Sequence, residues 1–286
     1  MNYRHAFHAG NFADVIKHIV LARSILHLRA KPAAFRVIDT HAGAGLYDLG
    51  GSEASRTGEF RNGIGLLIDA VLRPEVRDLL APYLDAVAAH NPDGRLTAYP
   101  GSPMLARHLL RTQDRLIACE LEPTAAAALA QHLRGETRAK AVAIDGWTAL
   151  AAYLPPKERR GIVIVDPPYE QPNEFARLAA GLQAAYRKWP TGIYVCWYPI
   201  KGRAEPDVLA KRLARGRVPK ILRVEFDLAS AQQNAALRGS GLIIVNPPWM
   251  LKDELAILLP ALGSVLTPDQ KNNWRLDWLT GEIMPQ

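Results

Sequence analysis

Short runs of β-branched and apolar residues alternate along the chain with stretches in which apolar positions recur every three or four residues. The runs are FRVID (35 to 39), RLIAC (115 to 119), AKAVAI (139 to 144), GIVIV (161 to 165), GIYVCWY (192 to 198), ILRVEFDL (221 to 228) and GLIIV (241 to 245). Their length and residue types predict seven strands. Between them, PTAAAALAQHLR (123 to 134), GWTALAAYL (146 to 154), NEFARLAAGLQAAYRKW (173 to 189) and EPDVLAKRLAR (205 to 215) read as helices. A further helix precedes the first strand. Asn11 can cap it, Val15, Ile19, Leu21, Ile25, Leu26 and Leu28 supply its apolar face, and Lys31-Pro32 ends it.

Strand and helix in alternation imply right-handed crossovers and a parallel sheet covered on both faces. The last link, ASAQQNAALRGS (229 to 240), is polar and poor in helical periodicity, so a hairpin-like return with one antiparallel strand is expected near the sheet edge. The fold class is therefore α/β: a Rossmann-like, seven-stranded, mostly parallel sheet with one antiparallel strand. That is the arrangement of S-adenosylmethionine-dependent methyltransferases rather than of dehydrogenases. One departure stands out, because about 70 residues separate the first glycine turn from the second strand, far more than a loop and one helix need. GIGLLIDAVL and PEVRDLLAPYLDAVAAH within it read as helices. Residues 46–97 are thus expected to form a small helical insertion in a single domain, 1–286.

At 286 residues, 49% hydrophobic and 22% charged, the chain can bury a large core, which excludes disorder as its main theme. No apolar run approaches the roughly 18 residues of a membrane span, and MNYRHAFHAGNFAD lacks the pattern of a secretory signal. A cytoplasmic protein is expected. Cys119 and Cys196 sit in separate apolar runs, as reduced core residues do, so neither a disulfide nor a metal is expected. A formal charge of +7 and a pI near 9.5 suit a polyanionic partner. The densest basic stretch holds Lys201, Arg203, Lys211, Arg212, Arg215, Arg217, Lys220 and Arg223 against Glu205 and Asp207, eight cations less two acids, net +6. It reads equally as an RNA-docking surface and as a solvated helix face.

Four segments carry candidate chemistry. VIDTHAGAG (37 to 45) places glycines after the first strand, where open α/β sheets bind nucleotide-like ligands. A dinucleotide fingerprint would need a third glycine where this chain has Asp48, which disfavours a nicotinamide cofactor. In ACELEP (118 to 123), Glu120 ends the second strand where a ribose would present two hydroxyls. Glu122 competes for that role but better fits the start of a helix. Asp145-Gly146 ends the third strand and reads either as an acceptor for an adenine amino group or as a helix cap. The strongest signal is IVIVDPPYE (162 to 170), which delivers Asp166 to the rim of the fourth strand beside two prolines and Tyr169.

That last set suits methylation of an exocyclic amine. An aniline-like nitrogen is a poor nucleophile, since its lone pair is delocalised into the ring. Acceptors on its two protons, the Asp166 carboxylate and the Pro167 carbonyl, favour a pyramidal nitrogen, while Tyr169 can stack on a base extruded from its helix. A similar GLIIVNPPWM (241 to 250) is assigned a structural role, on the expectation that Asn246 ends the last strand on the far side of the sheet.

DPPY on a fourth strand resembles the amino-methyltransferases that act on adenine N6 or cytosine N4. Together with YRHAFHAGNFADVIKH, DTHAGAG, YPGSP, WYP and NPPW, it closely resembles the RlmJ family, bacterial adenine-N6 methyltransferases of 23S ribosomal RNA, over essentially the whole chain. The resemblance implies S-adenosylmethionine contacts at His18, His41, Ser102, Glu120, Asp145 and Gly146, with Asp166 as the catalytic carboxylate. It further implies that Tyr3 reaches the target adenine or the methyl donor, with Lys17 close by. The implied partner is 23S RNA, protein-free or in an early assembly intermediate, and nothing calls for more than a monomer. Three rivals share parts of this pattern: a DNA adenine methyltransferase, an oxidoreductase using the glycine turn, and a non-enzymatic RNA-binding module.

Overall fold

The computed structural model describes residues 5–228, 237–268 and 274–281. After a 3-10 turn at His5–Phe7, α1 (Phe12–Arg29) leads into β1 (Arg36–Asp39). Asn11 caps α1 as expected, its side chain accepting from the Ala13 and Asp14 amides at 3.0 Å each. The chain then forms β2 (Leu46–Asp48), α2 (Ser52–Thr57), a 3-10 turn (Glu59–Asn62), α3 (Ile64–Asp69), α4 (Pro74–Ala88) and β3 (Ala98–Pro100). Next come α5 (Ser102–Leu109), β4 (Arg115–Glu120), α6 (Pro123–His132), β5 (Ala139–Ala143), α7 (Gly146–Ala152), β6 (Gly161–Val165) and α8 (Glu174–Lys188). The final third holds β7 (Ile193–Ile200), α9 (Ala204–Ala214), β8 (Ile221–Asp227), β9 (Gly239–Val245), α10 (Leu251–Leu266) and β10 (Trp274–Thr280).

The large sheet has the order β10-β8-β9-β7-β6-β1-β4-β5. β1 pairs in parallel with both β4 and β6, and β4 with β5. β9 runs antiparallel between β7 and β8, which is the inserted strand that the short link implied, although residues 229–236 of that link lie outside the described residues. The sheet has eight strands instead of seven, and two of them are antiparallel. β10 adds to the edge beside β8. Its sequence, WRLDWLT, alternates apolar and polar positions as a half-buried strand does.

Successive strand residues face opposite layers. Val37, Leu116, Ile162, Ile164, Val195 and Ile244 pack toward α1, α4, α5 and α10, whereas Ile38, Val163, Val165, Cys196 and Ile243 pack toward α7, α8 and α9. α1 is buried along most of its length between the sheet and α4, α5 and α10. Segment 46–97 contributes α3 and α4 to that layer, and β2 pairs with β3 where the segment leaves and rejoins the fold. Among the described residues no helix is long and apolar enough to cross a membrane. Both cysteines are buried and free, and burial pushes the Cys119 thiol up to about 12.

Topology places the two proline-aromatic segments at opposite edges. β6 ends at Asp166 on the carboxyl edge of the parallel strands. β9 runs the other way, pairing Val245 with Tyr194 near the start of β7, so Asn246 lies at the amino edge. There its side chain donates to the Pro190 and Gly192 carbonyls at 2.8 Å. Its structural assignment thus follows from strand direction: β9 lies inside the sheet, not on the far side where Asn246 was expected.

Candidate active site

A cleft of about 1150 Å³ opens over the carboxyl ends of β1, β4, β5 and β6. The turn after β1 forms its floor. Gly43 has φ of +61°, and a Cβ there would stand 2.1 Å from the Tyr47 hydroxyl, so the turn requires glycine. Its amide donates to Glu120 Oε2 at 2.8 Å, which ties the turn to the end of β4. The other Glu120 oxygen accepts from the Leu121 and Glu122 amides, both at 2.8 Å. Glu122 caps α6 through the Thr124 and Ala125 amides, the role its position favoured.

Asp145 caps α7, accepting from the Thr148 amide at 2.8 Å and hydroxyl at 3.0 Å through Oδ2. Its Oδ1 faces Arg177 at 4.0 Å, and the residue still lines the cleft. Gly146 follows with a steric reason of its own. A Cβ there would lie 2.4 Å from the Thr40 carbonyl and 2.5 Å from the His41 ring. His41 is held by the Thr40 hydroxyl at 2.8 Å and packs edge-on against Trp147. Burial pushes its imidazole down to about 4, so it is neutral at pH 7.

His18 lies on α1 and is neutral for the same reason, burial lowering it to about 3. Its Nδ1 is 2.7 Å from the Tyr99 hydroxyl, which in turn meets Tyr83 at 3.0 Å. These two tyrosines come from β3 and α4, so segment 46–97 and its exit strand anchor a cleft residue. Ser102 also lines the cleft; it is the first residue of α5, whereas Gly101 occupies the cap position.

Asp166 sits at the inner end. Lys17 Nζ donates to Asp166 Oδ2 and, at 2.8 Å, contacts Asp14 Oδ1. Burial alone would lower the Lys17 ammonium, but the two carboxylates outweigh it and hold it above its ordinary value. Asp14 is buried too, yet His5 and Lys17 keep it well below the usual carboxylate range. Its Oδ2 receives His5 Nε2 at 3.0 Å and the Gly10 amide at 2.9 Å. Tyr169, with φ of +52°, donates from its hydroxyl to the Trp197 carbonyl at 2.9 Å and packs against Phe175. Pro168 and Tyr169 line the cleft, while Pro167 is buried behind them.

Nine of the predicted residues therefore converge on one cleft: Lys17, His18, His41, Ser102, Glu120, Asp145, Gly146, Asp166 and Tyr169. Tyr3 lies outside the described residues. Sequence reasoning missed Asp14, which needs the fold to bring it under Asp166, and Asp39. Asp39 ends β1 fully buried, and among the described residues neither carboxylate oxygen has a hydrogen-bond partner. Burial pushes it up to about 7, with the Ser102 hydroxyl and the His41 amide opposing the shift without closing a hydrogen bond. An acid ending an apolar strand just before a glycine turn was the signal available. The basic stretch 201–223 is divided: Arg203 pairs with Glu225 and Asp207, and Arg223 is buried against Asp277.

Comparison with known proteins places this geometry. A family profile described as ribosomal RNA large subunit methyltransferase D, RlmJ, matches residues 32–280. The chain is 38% identical over 282 residues to the ribosomal RNA large subunit methyltransferase J of Escherichia coli K12, covering 99% of this chain and 100% of that one. It is 36% identical over 283 residues to the protein of the same name from Haemophilus influenzae, with the same coverage. A crystal structure of a Legionella pneumophila protein superposes with a TM-score of 0.86 at 33% identity, covering 94% of this chain and 98% of that one.

Proposed function

The chain belongs to the ribosomal RNA large subunit methyltransferase J family, and from that premise we propose that it methylates the exocyclic N6 of an adenine in 23S ribosomal RNA, with S-adenosylmethionine as donor. The carrying observation is Asp166, held at the inner end of the cleft by Lys17 beside Tyr169. Its carboxylate accepts a proton of the target amine, and Tyr169 stacks on the flipped base, offsetting part of the unstacking cost. The Pro167 carbonyl is the proposed second acceptor. Lys17 holds the Asp166 side chain in place and has Asp14 as an alternative partner when the amine arrives. Tyr3 would approach the same adenine or the donor.

The residues fit a cationic nucleoside ligand. Glu120 and Asp145 line the cleft beside the glycine turn, and acidic side chains there favour a sulfonium and an α-ammonium. His18, His41, Ser102 and Gly146 would complete the binding surface, and neutral imidazoles add no charge opposed to it. When bound, S-adenosylmethionine supplies an activated methyl open to direct in-line displacement. The work left to the protein is alignment, exclusion of water and acceptance of the amine proton. We place the enzyme in the cytoplasm, acting as a monomer on protein-free RNA or an early assembly intermediate.

The test is transfer of labelled methyl to protein-free, unmodified 23S RNA by wild type and Asp166→Ala, followed by nucleoside analysis. Wild type is expected to yield N6-methyladenosine. Asp166→Ala should lose at least a thousandfold in turnover while binding S-adenosylhomocysteine nearly as well. Transfer to DNA but not RNA would replace the substrate, and an Asp166→Ala rate within tenfold of wild type would remove the residue's role.

A further inference from the structure

β7, α9 and β8 form a crossover, so α9 begins at the cleft edge of the sheet and ends at the opposite one. Lys201, just before it, lines the cleft. One exposed face of α9 then carries Val208, Lys211 and Arg212, continued by Arg215 and Arg217, while Leu209 and Leu213 face the core. From Val208 to Lys220 there is no acidic residue. No ion pair neutralises Lys211, Arg212, Arg215 or Arg217 among the described residues, unlike Arg203 and Arg223. The run ends at Lys220, whose carbonyl accepts the Asn246 amide at 3.0 Å. Three residues on stands Trp249, 78% exposed. A tryptophan so exposed next to a cationic run is unusual for a solvated surface.

We propose that this is an RNA track: the strand whose adenine occupies the cleft leaves past Lys201, follows α9 with its phosphates on Lys211, Arg212, Arg215 and Arg217, and stacks a base on Trp249. The inference rests on the RNA-methyltransferase reading above. Charge complementarity identifies the partner as a polyanion, the exposed indole adds a platform for an unpaired base, and continuity with the cleft makes it the same molecule. Asn246 lies roughly 16 Å from Asp166, four residues of strand rise and two strand spacings away. The track therefore holds the substrate well outside the catalytic pocket. Phosphate contacts of this kind position a substrate without reading its sequence.

Two variants test it, one with Lys211, Arg212, Arg215 and Arg217 all changed to Gln, and Trp249→Ala. Both alter exposed side chains, and far-ultraviolet dichroism with S-adenosylhomocysteine titration verifies folding and the donor site. With 23S RNA, the quadruple variant should show KM raised about tenfold at unchanged kcat, and a log–log salt dependence of RNA binding shallower by about 3. Trp249→Ala should raise KM about fivefold or more, with partial rescue in Trp249→Phe. Wild-type KM and salt slope in both variants would overturn the track while leaving the enzyme assignment intact. Absence of methyl transfer by wild type would instead remove the reading beneath it.

Discussion

Asp39 shows how one residue couples the site to stability. Its carboxyl is buried without a hydrogen bond and pushed from 3.8 up to about 7. The folded protein therefore holds a proton that the unfolded chain releases between about pH 4 and 7. The sign follows from linkage: stability from this group is greatest below pH 4, falls as pH rises through that window, and is fully lost above about 7. Asp39→Asn is expected to stabilise the ligand-free protein at pH 8 by on the order of a few kcal/mol, and by clearly less at pH 5. Thermal unfolding at the two pH values checks this, and an equal gain at both would refute the burial account. Gly146 makes a complementary point. Its lack of a side chain lets the Thr40 carbonyl and His41 approach, which is a packing reason for glycine apart from any ligand.

At the scale of elements, β10 is the main addition to what patterning predicted. It joins β8 through Trp274 to Thr280, and the Arg223–Asp277 pair, at 2.7 and 2.9 Å, crosses the seam. Arg223 is buried and Asp277 half-exposed. Asp277→Ala should therefore leave a buried guanidinium with Glu225 as its remaining acidic neighbour, costing about 1–3 kcal/mol. Because β10 lies four strands from β6, methyl transfer by the folded variant should be unchanged. Urea midpoints alongside the transfer assay test both halves, and lost activity at full stability would argue against this separation. α1 works differently. Capped by Asn11, it carries Asp14, Lys17 and His18 on its first two turns and so builds the Asp166 end of the cleft from a helix buried in the core.

For the whole molecule, two cores on opposite faces of the sheet hold the cleft between them, and both His18 and His41 are locked in neutral form. Burial lowers them to about 3 and about 4, whereas the unfolded chain protonates them near 6.5. Their contribution is thus fully present above pH 6.5 and lost as pH falls toward 4 and 3, opposite in sign to that of Asp39. Unfolding free energy should decline below pH 6.5 more steeply in wild type than in His18→Asn. Denaturant titrations at pH 7 and 5 measure this, and identical pH slopes would count against the buried neutral imidazole.

Much of this protein was determined by sequence alone. Apolar runs of strand length, separated by helical periods, specify an α/β sheet because each must bury an apolar face. Carboxylates and glycines at strand ends mark the ligand edge because parallel strands all point their carboxyl ends the same way. Only the tertiary structure decided the rest. Asp14 became part of the site through Lys17, which α1 brings to Asp166 at the end of β6, a contact between elements far apart in the chain that local pattern does not encode. Asp166-Pro167-Pro168-Tyr169 and Asn246-Pro247-Pro248-Trp249 look alike as strings, yet strand direction sends one to the cleft and the other to the opposite edge. The cations of 201–223 form one cluster in sequence, but pairing buries or neutralises some and a crossover helix carries the others along the flank of the molecule. Direction, pairing and burial are properties of the assembled sheet, and they separate residues that the sequence alone presents as equivalent.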